Sequence, residues 1–502
     1  MAEMKNLAKQ TAIYGLSSIL GKFLNWGLVP LYTYVLASSA EYGVITNLYA
    51  WTALLVVILT YGMETGFFRF VNKSEENGTA VYSSSLLCIA STSLLFALLS
   101  VLFSRPIANL LGYDTHPEYI SLICIIVAMD AFGAIPFAYL RYQNKAFRFA
   151  LLKLIMIFVN IFFNIFFLII CPQLQEVAPA SVNWFYDPGY GVGYVLISNL
   201  ISTIVATLLL IPEIRQINFQ VNSGLLKKIL KYSLPLLVLG IAGIMNQTID
   251  KIIFPYLMPD REIANSQLGI YGACFKIAMV MMVFTQAFRF AYEPFIFAQN
   301  KGSDKRGEYA DAMKFFIIFS LLIFLGMMFY LDILKHLIRN DYWEGLKIVP
   351  VILMSYLFQG IFFNLSLWYK LIDKTQYGAY FSMIGLIITL AINILFVPHF
   401  GYAASAAASF VCYLAVMLIS YYFGQKHYPI AYDLKSIGLY FILAMGLFAI
   451  SCISPAKGWL KYLQNTILLL LYLRLIIKRD LPLKAIPVVN KFWGKQEKQG
   501  RR

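Results

Sequence analysis

Runs of twenty or more mostly apolar residues, each closed by a short polar stretch, recur about fourteen times along the chain. A helix needs about 20 such residues to cross the hydrocarbon of a bilayer, so each run predicts one membrane-spanning helix. The predicted segments are 11–36, 42–69, 81–103, 118–140, 149–171, 190–211, 229–256, 266–297, 309–331, 346–369, 377–397, 401–424, 435–453 and 459–477. Turn formers separate them, among them Asn77-Gly78, Arg105-Pro106, Asp187-Pro188-Gly189 and Met258-Pro259-Asp260. The first run is longer than the roughly 7–15-residue core of a cleaved signal and holds Lys22 and Asn25, so it reads as a retained helix.

Lys and Arg alternate between successive loops. About 27 fall on the side of the N-terminus, counting the tail from Arg474 to Arg502, against about 7 on the other. The positive-inside rule then places both termini in the cytoplasm, which requires an even number of crossings. Fourteen satisfies it.

The chain also echoes itself. Arg141-Tyr-Gln-Asn144-Lys145 leads into a segment ending Asn164-Ile165-Phe166-Phe167, and Lys370-Leu-Ile-Asp373-Lys374 leads at the same spacing into Asn393-Ile394-Leu395-Phe396. A Gly-Tyr pair opens the following segment each time, at Gly189-Tyr190 and Gly401-Tyr402. Tyr14 to Gly21 likewise resembles Tyr232 to Gly240. These echoes predict an all-α integral membrane protein of two six-helix lobes, 1–215 and 216–424, a two-helix extension at 425–480 and a basic cytoplasmic tail at 481–502. Six is even, so the two copies share one orientation, as in many secondary transporters.

Composition narrows the class. The 502 residues are 60% hydrophobic and 13% charged, against about 25% charged in soluble proteins, and no polar stretch is long enough for a soluble domain. The net charge of +15 sits in short loops and the tail, which suits anionic lipid headgroups and argues against nucleic acid. Six scattered cysteines read as small buried hydrophobes, and four histidines at segment ends have no metal-ligand spacing. No metal site is implied.

Seven ionisable residues interrupt the apolar segments: Lys22, Glu64, Asp130, Asp250, Lys276, Arg289 and Glu293. Each costs about 2.5–3.5 kcal/mol on insertion scales, and such residues usually face a polar interior or a pathway. An anchor has no use for them. They point to a chain that moves something polar across the membrane.

Tyr61-Gly-Met-Glu-Thr-Gly-Phe-Phe-Arg-Phe70, the Lys-rich start running into Tyr14-Gly15 and Gly21-Lys22, Tyr42-Gly43, and Glu293-Pro294-Phe295 carry a resemblance over nearly the whole chain. It resembles the Wzx-type oligosaccharide-lipid flippases of the multidrug/oligosaccharidyl-lipid/polysaccharide exporter superfamily. The resemblance implies a bacterial inner-membrane protein in which two helical lobes enclose a cavity that opens alternately to either side. It implies a cargo of undecaprenyl pyrophosphate-linked glycan for lipopolysaccharide or polysaccharide (O-antigen) synthesis, with glycan polymerases as possible partners. The alternative within the superfamily is a cation-coupled multidrug exporter, which favours an acidic cavity. A membrane glycan polymerase or ligase needs catalytic groups on a large external loop, which this chain lacks, so no catalytic residue is assigned.

A pyrophosphate needs cations to replace its lost hydration. Lys22 is the first candidate, central in its segment, with Ser18 and Asn25 on its face. Arg289 is the second, on a polar stripe with Gln286 and Glu293. Lys276 lies roughly 140° around a straight helix from Arg289, which ranks it lower. Glu64, Asp130, Asp250 and Glu293 are expected either to pair with Lys22, Lys251 or Arg289 or to exchange H+ or Na+ as cargo moves. No other cofactor is expected. Gly62 and Gly66 read as a close helix contact.

Overall fold

Every regular element among the described residues is a helix, and thirteen of these helices are long and apolar enough to cross a membrane. The computed structural model describes residues 14–17, 19–73, 78–218, 222–299 and 306–480, without the side chains of 73, 291 and 293–299. The predicted tail at 481–502 and the start of the first segment lie outside the described residues. That first segment is helical at 14–17, 19–26 and Leu28–Val35, and is labelled α1. There follow α2 (Ser39–Thr60), α3 (Met63–Lys73), α4 (Gly78–Leu102), α5 (Pro117–Tyr142), α6 (Ala146–Ile165), α7 (Gly191–Leu209), α8 (Ser223–Leu257) and α9 (Arg261–Gln299). The chain continues through α10 (Arg306–Phe329), α11 (Val349–Leu365), α12 (Gln376–Phe400), α13 (Tyr402–His427), α14 (Leu434–Ile453) and α15 (Trp459–Arg479). In a bilayer only such self-satisfied backbones are viable, which is why the apolar runs became helices.

Two segments depart from their predicted outlines. The run 42–69 is two helices, broken where Tyr61 and Gly62 take φ of 33° and 72°. Positive φ is costly for tyrosine. Its hydroxyl donates to Cys88 Sγ of α4 at 3.2 Å, and its ring is buried, so tertiary packing holds the break. The run 149–171 extends further, through a π-turn at Phe166–Ile170 into a helix at Cys171–Val177.

The helices pack as the internal echo predicts. α4 packs on α5 as α10 packs on α11; α6 on α7 as α12 on α13; α5 on α7 as α11 on α13; and α2 on α5 as α9 on α11. The protein is thus a multi-pass, all-α membrane fold of two six-helix sets, with α14 and α15 added against α10.

The two sets meet along α2, which packs on both α8 and α9. At one end the α2 and α9 backbones nearly touch. A Cβ on Gly43 would lie 1.8 Å from Asn265 O, and one on Gly269 would lie 1.9 Å from Ser39 O, so neither position has room for any other residue. Ser39 and Ser266 hydroxyls hydrogen-bond there at 2.6 Å. Deeper in, Asn47 Nδ2 donates to Lys251 O at 2.7 Å and its Oδ1 accepts from Tyr113 OH at 2.8 Å. At the far end Gly66 of α3 lies against Ser233 of α8, the close contact expected of the glycine pair.

Gly43→Ala is therefore expected to destabilise the fold by about 1–3 kcal/mol, as overpacking does, and to lower the melting temperature in detergent. Gly438→Ala, where a Cβ meets open space, should leave it within error. Equal melting of the two variants would refute the backbone-level contact.

Candidate functional site

α1 comes from the first helix set and α9 from the second, and they carry the candidate cations to one seam. Lys22 Nζ donates to Gln286 Oε1 of α9 at 2.7 Å. Trp26, one turn along α1, donates from Nε1 to the backbone carbonyl of Lys276 at 2.8 Å. These two bonds, ten residues apart on α9, lay α1 along it.

Arg289 is within electrostatic range of Lys22 and stacks its guanidinium 5.4 Å from the Phe363 ring centroid of α11. Lys276 is within range of both Lys22 and Lys251. Its side chain is accessible although protein surrounds it on nearly every side, as expected of a group lining an internal cleft. Lys22 thus lies electrostatically between Arg289 and Lys276, although ideal helix geometry sets those two on different faces of α9. Asn25 is exposed and makes no hydrogen bond with a described residue. Ser18 lies outside the described residues.

The carboxylates go elsewhere. Neither Glu64 nor Asp130 pairs with Lys22. Glu64 of α3 accepts a short hydrogen bond from Arg141 Nη2 of α5. Asp250 of α8 is buried against its neighbour Lys251, with Nζ at 2.9 Å from Oδ2, and accepts a 2.7 Å hydrogen bond from Tyr271 OH of α9. Lys251 also sits 4.1 Å from the Phe275 ring centroid. Asp130 of α5 faces Lys153 of α6, with the Thr203 hydroxyl of α7 beside it. The Glu293 side chain lies outside the described residues. The asparagines bond within the protein: Asn164 Nδ2 donates to the Asn160 carbonyl at 2.8 Å, and Asn393 Oδ1 accepts from the Ser405 hydroxyl of α13 at 2.6 Å.

Asp130, Lys153, Glu64 and Arg141 also border one cavity of about 430 Å³ inside the first helix set. Lys153 escaped the sequence reading because it lies one turn inside its segment, where a lysine is ordinarily drawn to the membrane surface. Arg141 reads as a loop residue because the predicted segment ends at 140, whereas the helix runs on to Tyr142.

The Asp250–Lys251 pair makes a direct test possible. Removing one partner of a buried pair leaves an uncompensated charge, at about 3–5 kcal/mol. Lys251→Met should therefore melt well below the wild type, and adding Asp250→Asn should restore most of the loss. A double variant no more stable than Lys251→Met would show that the pair is not what holds Asp250.

A family model described as polysaccharide biosynthesis protein matches residues 7–298, and a MatE model matches residues 262–395. No curated protein matches in sequence. Among solved structures, the lipid II flippase MurJ in an inward closed conformation aligns with a TM-score of 0.74 at 15% identity, over 93% of this chain and 98% of that one. An inward-facing multidrug resistance MATE family transporter of the MOP superfamily aligns with a TM-score of 0.61 at 13% identity, over 83% of this chain and 94% of that one. An outward-facing MATE transporter gives a TM-score of 0.56 at 14% identity, over 84% and 95%. These similarities show the fold.

Proposed function

The chain belongs to the polysaccharide biosynthesis protein family, and from that premise we propose that it flips a lipid-linked glycan across the membrane by alternating access. The observation that carries this reading is the meeting of Lys22, Arg289 and Lys276 on the seam between the two helix sets, with Lys22 bonded to a neutral partner. An undecaprenyl pyrophosphate entering the seam would exchange its hydration for these cations, while Asn25 and Gln286 would supply further polar contacts. The likeness in fold to a lipid II flippase supports a lipid-linked cargo. The chemistry here is movement, and the proposal needs no catalytic residue.

The membrane would be the bacterial inner membrane, with both termini in the cytoplasm. On that orientation the Gly43–Gly269 contact lies at the outer surface and must part before cargo leaves. The first helix set would end near 215 and the second near 424, so rocking would pivot on the α7–α8 connection. The MatE match over residues 262–395 favours a second reading, a cation-coupled multidrug exporter. The cationic seam disfavours it, since a cationic drug would be repelled there.

In proteoliposomes, Lys22→Gln and Arg289→Gln should each lower translocation of undecaprenyl pyrophosphate-linked glycan by about tenfold or more, as expected for losing a charge-assisted contact worth about 1.5–3 kcal/mol. Wild-type rates in both variants would sink the cationic seam as a cargo site. Export of cationic drugs with no glycan transport would replace it by the second reading.

A further inference from the structure

The cavity in the first helix set is built like a binding site, and the cationic seam does not use it. Asp130 and Lys153 border it from α5 and α6 within electrostatic range of each other, yet no ion pair joins Lys153 to Asp130 or to any other described carboxylate. Opposite charges in an apolar bundle normally close on each other, because a gap leaves both partly desolvated. Here they are held apart. Lys153 Nζ rests 4.0 Å from the Phe137 ring centroid, and Thr203 stands beside the carboxylate. Arg141 Nε at the rim is buried with no hydrogen-bond partner. Phe137 and Phe149, packed edge to face at 5.5 Å, form an aromatic wall.

Size and charge restrict what such a space holds. About 430 Å³ falls within the roughly 300–1,000 Å³ of small-molecule pockets and is far larger than a lone cation needs. Lys153 would also repel a metal cation from Asp130. A proton site at Asp130 would need no cavity of this volume. A compact polyhydroxylated ring fits: a carboxylate accepts from its hydroxyls, an ammonium donates to its oxygens, and an aromatic wall covers its C–H face.

We infer that this cavity is a saccharide subsite, in which Asp130 and Lys153 hydrogen-bond one sugar of the glycan cargo against Phe137 and Phe149. The inference rests on the flippase reading and gives it a second contact point. α1 links the two, since Tyr14 packs on Phe149 at 5.1 Å while Lys22, eight residues on and about 12 Å along the helix, reaches Gln286. The pyrophosphate on the seam and the first sugars in the cavity would then grip α1 from two sides.

The test is binding to the full chain in nanodiscs with two probes. One is sugar-free undecaprenyl pyrophosphate; the other is the lipid-linked glycan extracted from cells deleted for this chain. Asp130→Asn and Lys153→Gln should each bind the glycan-bearing lipid about tenfold more weakly and the sugar-free lipid unchanged, which also certifies folding. Equal loss for both lipids, or loss for neither, overturns the subsite. So does unchanged glycan binding with transport that no longer responds to a proton gradient, which would make Asp130 a proton site. Lys22→Gln should weaken both lipids. A wild type that binds neither lipid would defeat the flippase reading itself, and the subsite with it.

Discussion

A charge in the interior of a membrane protein must find a partner, and that constraint sorts the whole structure. Most of the acidic side chains met here satisfy it by tying elements together. Glu64 joins α3 to α5, Glu213 after α7 holds Arg148 of α6, and Asp480 beyond α15 holds Lys314 of α10 at 2.9 Å. Asp250 is neutralised by its own neighbour and by Tyr271. On the seam, what these pairs leave over is positive. Lys22 has an amide for a partner, and Lys276 forms no ion pair with a described residue. A protein that keeps such cations against their insertion cost has a use for the potential they create.

Their position gives that potential a mechanical meaning. α9 is the spine of the second helix set: its first half meets α2 at backbone contact, and its second half carries Gln286 and Arg289 to α1. The seam cations therefore belong to both sets at once. An anion bound between them draws the sets together, and its departure removes that attraction. A ligand shifts a conformational equilibrium only by its differential affinity for the two states. The proposed seam site would supply that difference, because it would exist in full only while α1 and α9 are adjacent.

Much of this was legible in the sequence, and the misses share a cause. The segments stood out because hydrophobic length is a one-dimensional property, and the duplication showed at Asn164 and Asn393, each of which donates to the carbonyl one turn back, of Asn160 and Thr389. The break at Tyr61 did not stand out, since no proline marks it and the ring's burial enforces it. Lys22 and Gln286 were both candidates, but only folding pairs residues 264 positions apart. Lys276 was ranked down by the angle it makes with Arg289 on an ideal helix. That argument treats a lysine as a point on a cylinder, whereas a long side chain and an unscreened field both reach beyond their own face. Lys153 was passed over because a basic residue one turn inside a segment usually leans to the surface, and only the surrounding helices show that this one faces inward.

The sign of the seam also favours the proposed glycan flippase over a cation exporter without reference to kinship. A unit charge about 8 Å away acts with about 2 kcal/mol at an effective dielectric of about 20. Two or three such cations therefore oppose a cationic drug and favour an anion by several kcal/mol in each direction, a discrimination of at least a thousandfold. A cation exporter built on this fold would have to neutralise Lys22 and Lys276 before it could bind its cargo. Asp250, whose neighbour Lys251 is within electrostatic range of Lys276, is already held by Lys251 and Tyr271, and releasing it would strand Lys251. The cheapest way to satisfy the seam is an anion that arrives from outside the protein, and a pyrophosphate carries both the charge and the oxygen count to do it.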